Sequence, residues 1–141
     1  MENKDLFLIL FPILTAILSS YLTYFFAIKS KQKEAILKFK EEKYTNLIIA
    51  LQGFVGSTAS TEKKKIFFEE HYRSWLYSSD EVIKNINDLV ISLEGGKTPD
   101  QMEGKKLIGN IILAMRKDLV GNTSLKNIDF RYIDVIDHKL N

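Results

Sequence analysis

LFLILFPILTAILSSYLTYFFAI, residues 6–28, carries no charged side chain over 23 consecutive positions. As an α-helix it measures roughly 34 Å, against about 30 Å for the hydrocarbon core of a bilayer. The stretch predicts one transmembrane helix. A cleaved leader would start basic, run shorter and end on a small-x-small site. Here Glu2 and Asp5 offset Lys4, and the run ends Phe25-Phe26-Ala27-Ile28. The expectation is a retained span behind a short tail, residues 1–5.

The charges flanking this run orient it. Residues 29–43 hold six Lys against three Glu, whereas residues 44–141 hold 13 basic and 13 acidic side chains. Lysine and arginine stay on the cytoplasmic side of a membrane. The expected topology is a single pass through the cell inner membrane, N-terminus outside and C-terminal domain cytoplasmic. Lys29, Lys31 and Lys33 could then meet lipid head groups, making membrane lipid a partner; the other and favoured reading is that they serve only as the ordinary topology signal.

Within the span, Thr15, Ser19, Thr23 and Ala27 recur every four residues. That spacing puts small side chains on one stripe, where a second membrane helix can approach closely. Self-association, or docking on a partner's membrane helix, is one reading. The other is that the hydroxyls bond back to their own helix. Pro12 adds a bend near the outer end.

Past the membrane the pattern is helical throughout. Residues 29–57 form a basic juxtamembrane segment, and 58–141 form the cytosolic domain. No proline follows Ile28 until Pro99, and Gly53 is the first glycine. The helix therefore continues to about Leu51, with Tyr44, Leu47 and Leu51 on its apolar stripe. Thr61 to about Tyr77 is the next helix, with Phe68, Tyr72, Trp75 and Leu76 expected as its buried face and Glu69–Arg73 as a surface pair. Ser78-Ser79-Asp80-Glu81 reads as a capping box opening a helix buried through Val82, Ile83, Ile86, Leu89, Val90 and Leu93. Thr98-Pro99-Asp100-Gln101 opens the last long helix, with Thr98 as cap and Pro99 at the first helical position. Met102, Leu107, Ile108, Ile111, Ile112, Met115 and Leu119 mark its inner face, and Gly121-Asn122 stops it. Residues 123–141 are expected as a packed loop anchored by Phe130 and Tyr132, then a short helix.

The predicted fold is all-α: a transmembrane helix followed by a cytosolic antiparallel bundle of about four helices, over 34–55, 61–77, 79–94 and 99–120.

Motifs for catalysis are missing. There is no cysteine, hence no disulfide or thiolate site. Gly95-Gly96-Lys97-Thr98 imitates the end of a phosphate loop, but Ile91 stands where the first glycine belongs and Pro99 follows. Glu69, Glu70 and His71 are adjacent, so a helix points them apart. Asp134, Asp137 and His138 supply one histidine and no further fixed ligand. We expect no catalytic, cofactor or metal site, and the charge balance argues against nucleic acid.

Three arginines stand among 17 lysines: Arg73, Arg116 and Arg131. A forked guanidinium suits carboxylates or aromatic faces. Arg73, Trp75 and Arg116 are the candidate partner surface. The alternative is internal stapling by Glu69, Asp80, Glu81 or Asp118.

The strings YRSWLYSSDEVIKNINDLVI (72–91), AMRKDL (114–119) and Asp129-Phe130 together resemble small bacterial proteins with one N-terminal membrane helix and a helical cytoplasmic domain. The resemblance implies the architecture and carries no activity. The expected function is a membrane-anchored interaction or scaffold protein, binding another copy of itself or a protein partner, in a bacterial stress or phage-defence system. One alternative is a membrane-disrupting effector whose span oligomerises. A second is an enzyme, which would need a polar cleft with converging ionisable groups.

Overall fold

The computed structural model describes residues 3–54, 60–94 and 99–131, which contain helices and turns and no strand. α1 (Asn3–Leu51) is 49 residues long and tightens into a 3-10 turn at Gln52–Phe54. α2 (Thr61–Ser74), α3 (Asp80–Leu93) and α4 (Gln101–Val120) follow, then a second 3-10 turn at Asn127–Asp129. The chain divides into two compact units, one ending at Lys38 and the other beginning at Phe39.

The first unit is the greater part of α1. The helix passes through Pro12 without interruption. Proline removes one backbone donor there. Fifteen large apolar side chains from Phe7 to Ile28 are exposed. Burying a large apolar side chain is worth about 1.5–3 kcal/mol. Exposing this set to water would forgo on the order of 20 kcal/mol by the same principle, more than the roughly 5–15 kcal/mol that holds a domain folded. This helix, near the N-terminus, is long and apolar enough to cross a membrane.

The second unit owns the core. Tyr44, Leu47 and Leu51 of α1 are buried, as their spacing predicts. They meet Phe67 of α2, Val82, Ile86 and Leu89 of α3, and Ile108, Ile111, Ala114 and Met115 of α4. Lys117 late in α4 reaches Glu81 early in α3 at 2.7 Å. The end of α1 is tied to the start of α2 by Ser60 N–H donating to the Gly53 carbonyl at 3.3 Å.

Several local expectations are corrected. The buried face of α2 is Phe67, Glu70, His71 and Ser74. Tyr72, Trp75 and Leu76 are instead 71%, 60% and 89% exposed, and Phe68 is half-buried. Phe67 sets this rotation: it packs edge-on against Phe54 and Phe68 at 5.0 and 5.6 Å, which carries positions i+3, i+4 and i+7 inward with it. Arg73 pairs with Glu70, not Glu69, at 2.9 Å.

Ser79, not Ser78, is the N-cap of α3, without a side-chain cap bond, and Glu81 pairs with Lys117 instead of reaching back to the cap. Asp100 caps α4 by accepting from Glu103 N–H at 2.7 Å, which leaves Pro99 before the cap. Met102 is 82% exposed, off the inner face assigned to it. Gly121 ends α4 at φ +84°, a conformation that L side chains rarely adopt. Phe130 packs against the core as expected. Tyr132, the short helix after it, Thr98, and the 134/137/138 group lie outside the described residues.

Candidate functional site

Four places gather side chains with chemical character. The first joins α1 to α4. Lys40 and Tyr44 are one turn apart, so both face the same neighbour. Lys40 Nζ donates to both oxygens of Asp118, at 3.1 and 2.9 Å, and Tyr44 Oη donates to Asp118 Oδ2. Burial pushes the Tyr44 hydroxyl well above its ordinary range, and Asp118 reinforces the rise. Ser78 and the Ser79 backbone oppose it. The Tyr77 ring lies 5.5 Å edge-on to Phe39 and 5.9 Å from Tyr44.

The second is the inner face of α2. Glu70 Oε1 accepts from Arg73, while Glu70 Oε2, His71 Nδ1, Tyr77 Oη and Ser78 Oγ are buried without a hydrogen-bond partner among the described residues. His71 stacks on Phe67 at 6.3 Å, and burial lowers its pKa. Ser74 Oγ donates to the His71 carbonyl at 2.6 Å. Tyr77 is pushed up to about 12 by burial, then by the Glu70 charge, with Arg73 opposing. Nucleophilic catalysis needs a hydroxyl held against a base. Here the Ser74 hydroxyl points at a carbonyl, and the contacts are those of a polar staple. No group of three potential metal ligands occurs among the described residues.

The third is the exposed patch at the end of α2. Arg73 and Trp75 both belong to it, beside Tyr72 and Leu76. Arg116 does not join them. Its Nε donates to Thr123 Oγ1 at 3.4 Å, and its side chain lines a groove on α4.

That groove is the fourth. The chain after α4 folds back and crosses the helix at Gly109, where a Cβ would sit 2.7 Å from the Asn127 carbonyl oxygen. Only glycine admits so close a backbone. Asn127 Nδ2 donates to Asn110 Oδ1 at 2.8 Å and pins the crossing. On one side lies a groove of about 790 Å³ and on the other one of about 210 Å³; Phe130 and Arg131 line both.

Along the span, Thr15 Oγ1 donates to the Phe11 and Pro12 carbonyls at 3.1 and 2.9 Å. Ser19, Thr23 and Ala27 are exposed on the same helix. Lys29 Nζ lies 4.6 Å over the Phe25 ring, and Lys31 and Lys33 are exposed.

The Lys40–Tyr44–Asp118 cluster and the polar α2 face were not assigned from sequence. The i, i+4 spacing of Lys40 and Tyr44 was the available signal for the first. For the second it was the run Phe67, His71, Ser74. The chain matches no protein-family model, no curated protein and no solved structure.

Proposed function

We propose that this chain is a single-pass membrane protein whose antiparallel helical domain faces the cytoplasm and acts by binding a protein, through the α2 patch of Tyr72, Arg73, Trp75 and Leu76. The observation that carries the reading is the inversion of α2. Three large apolar side chains face outward while Glu70, His71 and Ser74 face in. Exposed Tyr, Trp and Leu side chains close in sequence to an arginine are the composition of an interface anchor. The lysines after Ile28 support the orientation. Thr15 already spends its hydroxyl on its own helix, so weight moves from the small-residue stripe to the domain.

A photoreactive phenylalanine analogue at position 75 or 76, irradiated in intact membranes, tests this. A discrete crosslinked species, lost when the probe stands at exposed Lys84 of α3, is expected. A strictly uncrosslinked monomer from both patch positions would overturn it.

A further inference from the structure

The outward face of α2 carries both signs of charge in equal number. Glu62, Lys65, Glu69 and Arg73 are exposed and alternate in sign along the helix. Each stands three or four residues from the next, so they form one strip. Ile66, Tyr72 and Leu76 are exposed among them. The strip runs on past Ser74, because Leu76 N–H donates to the Arg73 carbonyl at 3.1 Å and Ser78 N–H to the Ser74 carbonyl at 2.8 Å. Arg73 gives one N–H to Glu70 at 2.9 Å, yet its side chain stays 65% exposed. A guanidinium has several more donors, enough for a second carboxylate. Glu69 makes no ion pair among the described residues.

Charge decides which surfaces of this chain can meet their own equivalents. On α4 and the segment after it, the exposed cations Lys105, Lys106, Lys126 and Arg131 would oppose cations in a second copy, and like charges across a contact are costly. The α2 strip carries no such bar. A two-fold contact is self-complementary: residue i meets j, and j meets i. Glu69 and Arg73 lie about 6 Å apart on the helix surface. A two-fold axis lying in the contact midway between them brings each Arg73 within about that distance, measured along the contact, of the partner's Glu69, whichever way the axis runs. Two charge-assisted pairs then close one contact. Copies inserted the same way in one membrane also carry this strip at the same height, and an axis along the membrane normal sets each strip against its own equivalent.

We propose that the α2 face binds a second copy of this chain, in a two-fold contact that pairs Arg73 with the partner's Glu69 and covers Tyr72 and Leu76. This rests on the reading of α2 as a protein-binding face and names its occupant.

The chain has no cysteine, so one introduced thiol reports the contact in the full chain. In native membranes, Leu76→Cys treated with a flexible bis-maleimide should give a covalent dimer at least ten-fold faster than Lys84→Cys. Adding Glu69→Lys to Leu76→Cys sets cation against cation and should slow the dimer at least ten-fold. Glu62→Lys makes the same change of charge more than two turns from the axis and should leave the rate within about two-fold. All four variants should keep the parent's helical circular dichroism. Equal rates from positions 76 and 84 would overturn the proposal. So would a rate that Glu69→Lys leaves unchanged, or one that both lysine variants slow alike. A photoreactive probe at position 76 separates the two readings. An adduct of twice the chain's mass is expected; an adduct only with a different protein would overturn the second copy and leave the α2 face a binding surface, and no adduct would remove both.

Discussion

Replacing Asp118 by alanine removes the carboxylate that Lys40 and Tyr44 share. The Lys40 and Asp118 side chains keep 18% and 13% of their accessibility. Stranding one member of a buried ion pair costs about 3–5 kcal/mol, because a desolvated charge is left uncompensated. Lys40 retains some freedom to extend its ammonium to water, which lowers that figure to about 2 kcal/mol. The orphaned Tyr44 hydroxyl adds about 1 kcal/mol. The expected loss is about 3 kcal/mol, or roughly 12–24 °C in Tm for a domain of this size. Thermal unfolding of the full chain in detergent, followed by circular dichroism, reads it. The triple variant Lys40→Met, Tyr44→Phe, Asp118→Leu should return to within about 1 kcal/mol of the parent, since apolar replacement of a whole buried pair is nearly neutral. A loss below about 1 kcal/mol for Asp118→Ala, or no recovery in the triple variant, would refute the reasoning.

Phe67→Ala should cost about 3–5 kcal/mol and Trp75→Ala less than about 0.5 kcal/mol, measured by denaturant titration; the reverse order would put the α2 face back where composition alone assigns it. Burial holds His71 below its ordinary 6.5. Unfolding therefore takes up a proton, and this contribution is complete above pH 6.5 and declines as pH falls below it. His71→Phe should flatten that acid limb. Tyr77 titrates near 12 instead of 10.0, so its contribution is complete below pH 10 and declines as pH rises towards 12; Tyr77→Phe should remove this alkaline limb. Gly109→Ala should cost about 1–3 kcal/mol by pushing the Asn127 backbone off α4, and hydrogen exchange in 123–131 should rise with it.

Periodicity carried most of the helical architecture. Tyr44, Leu47 and Leu51, or Val82, Ile86 and Leu89, repeat so regularly that burial follows from spacing. α2 was misread because hydrophobicity ranks Tyr72, Trp75 and Leu76 above Glu70, His71 and Ser74. Glu70 Oε1 is met by Arg73 and Ser74 Oγ by its own helix, while Glu70 Oε2 and His71 Nδ1 have no partner among the described residues, and no apolar pattern reports such a face. The Thr98-Pro99 pair pointed to Thr98 as the cap of α4; Asp100 takes that role in the structure by accepting from the Glu103 N–H. The Lys40–Asp118 contact spans 78 positions and has no sequence signature.

The central claim is that α1 lies in lipid through residues 6–28 with the helical domain on the lysine side. Protease added to intact spheroplasts carrying an epitope tag after Asn141 tests it most directly. The account predicts that the tag survives until the membrane is opened by detergent, and that the chain stays in the membrane pellet throughout. Loss of the tag from intact spheroplasts, or recovery of the full chain in the soluble fraction, would contradict it.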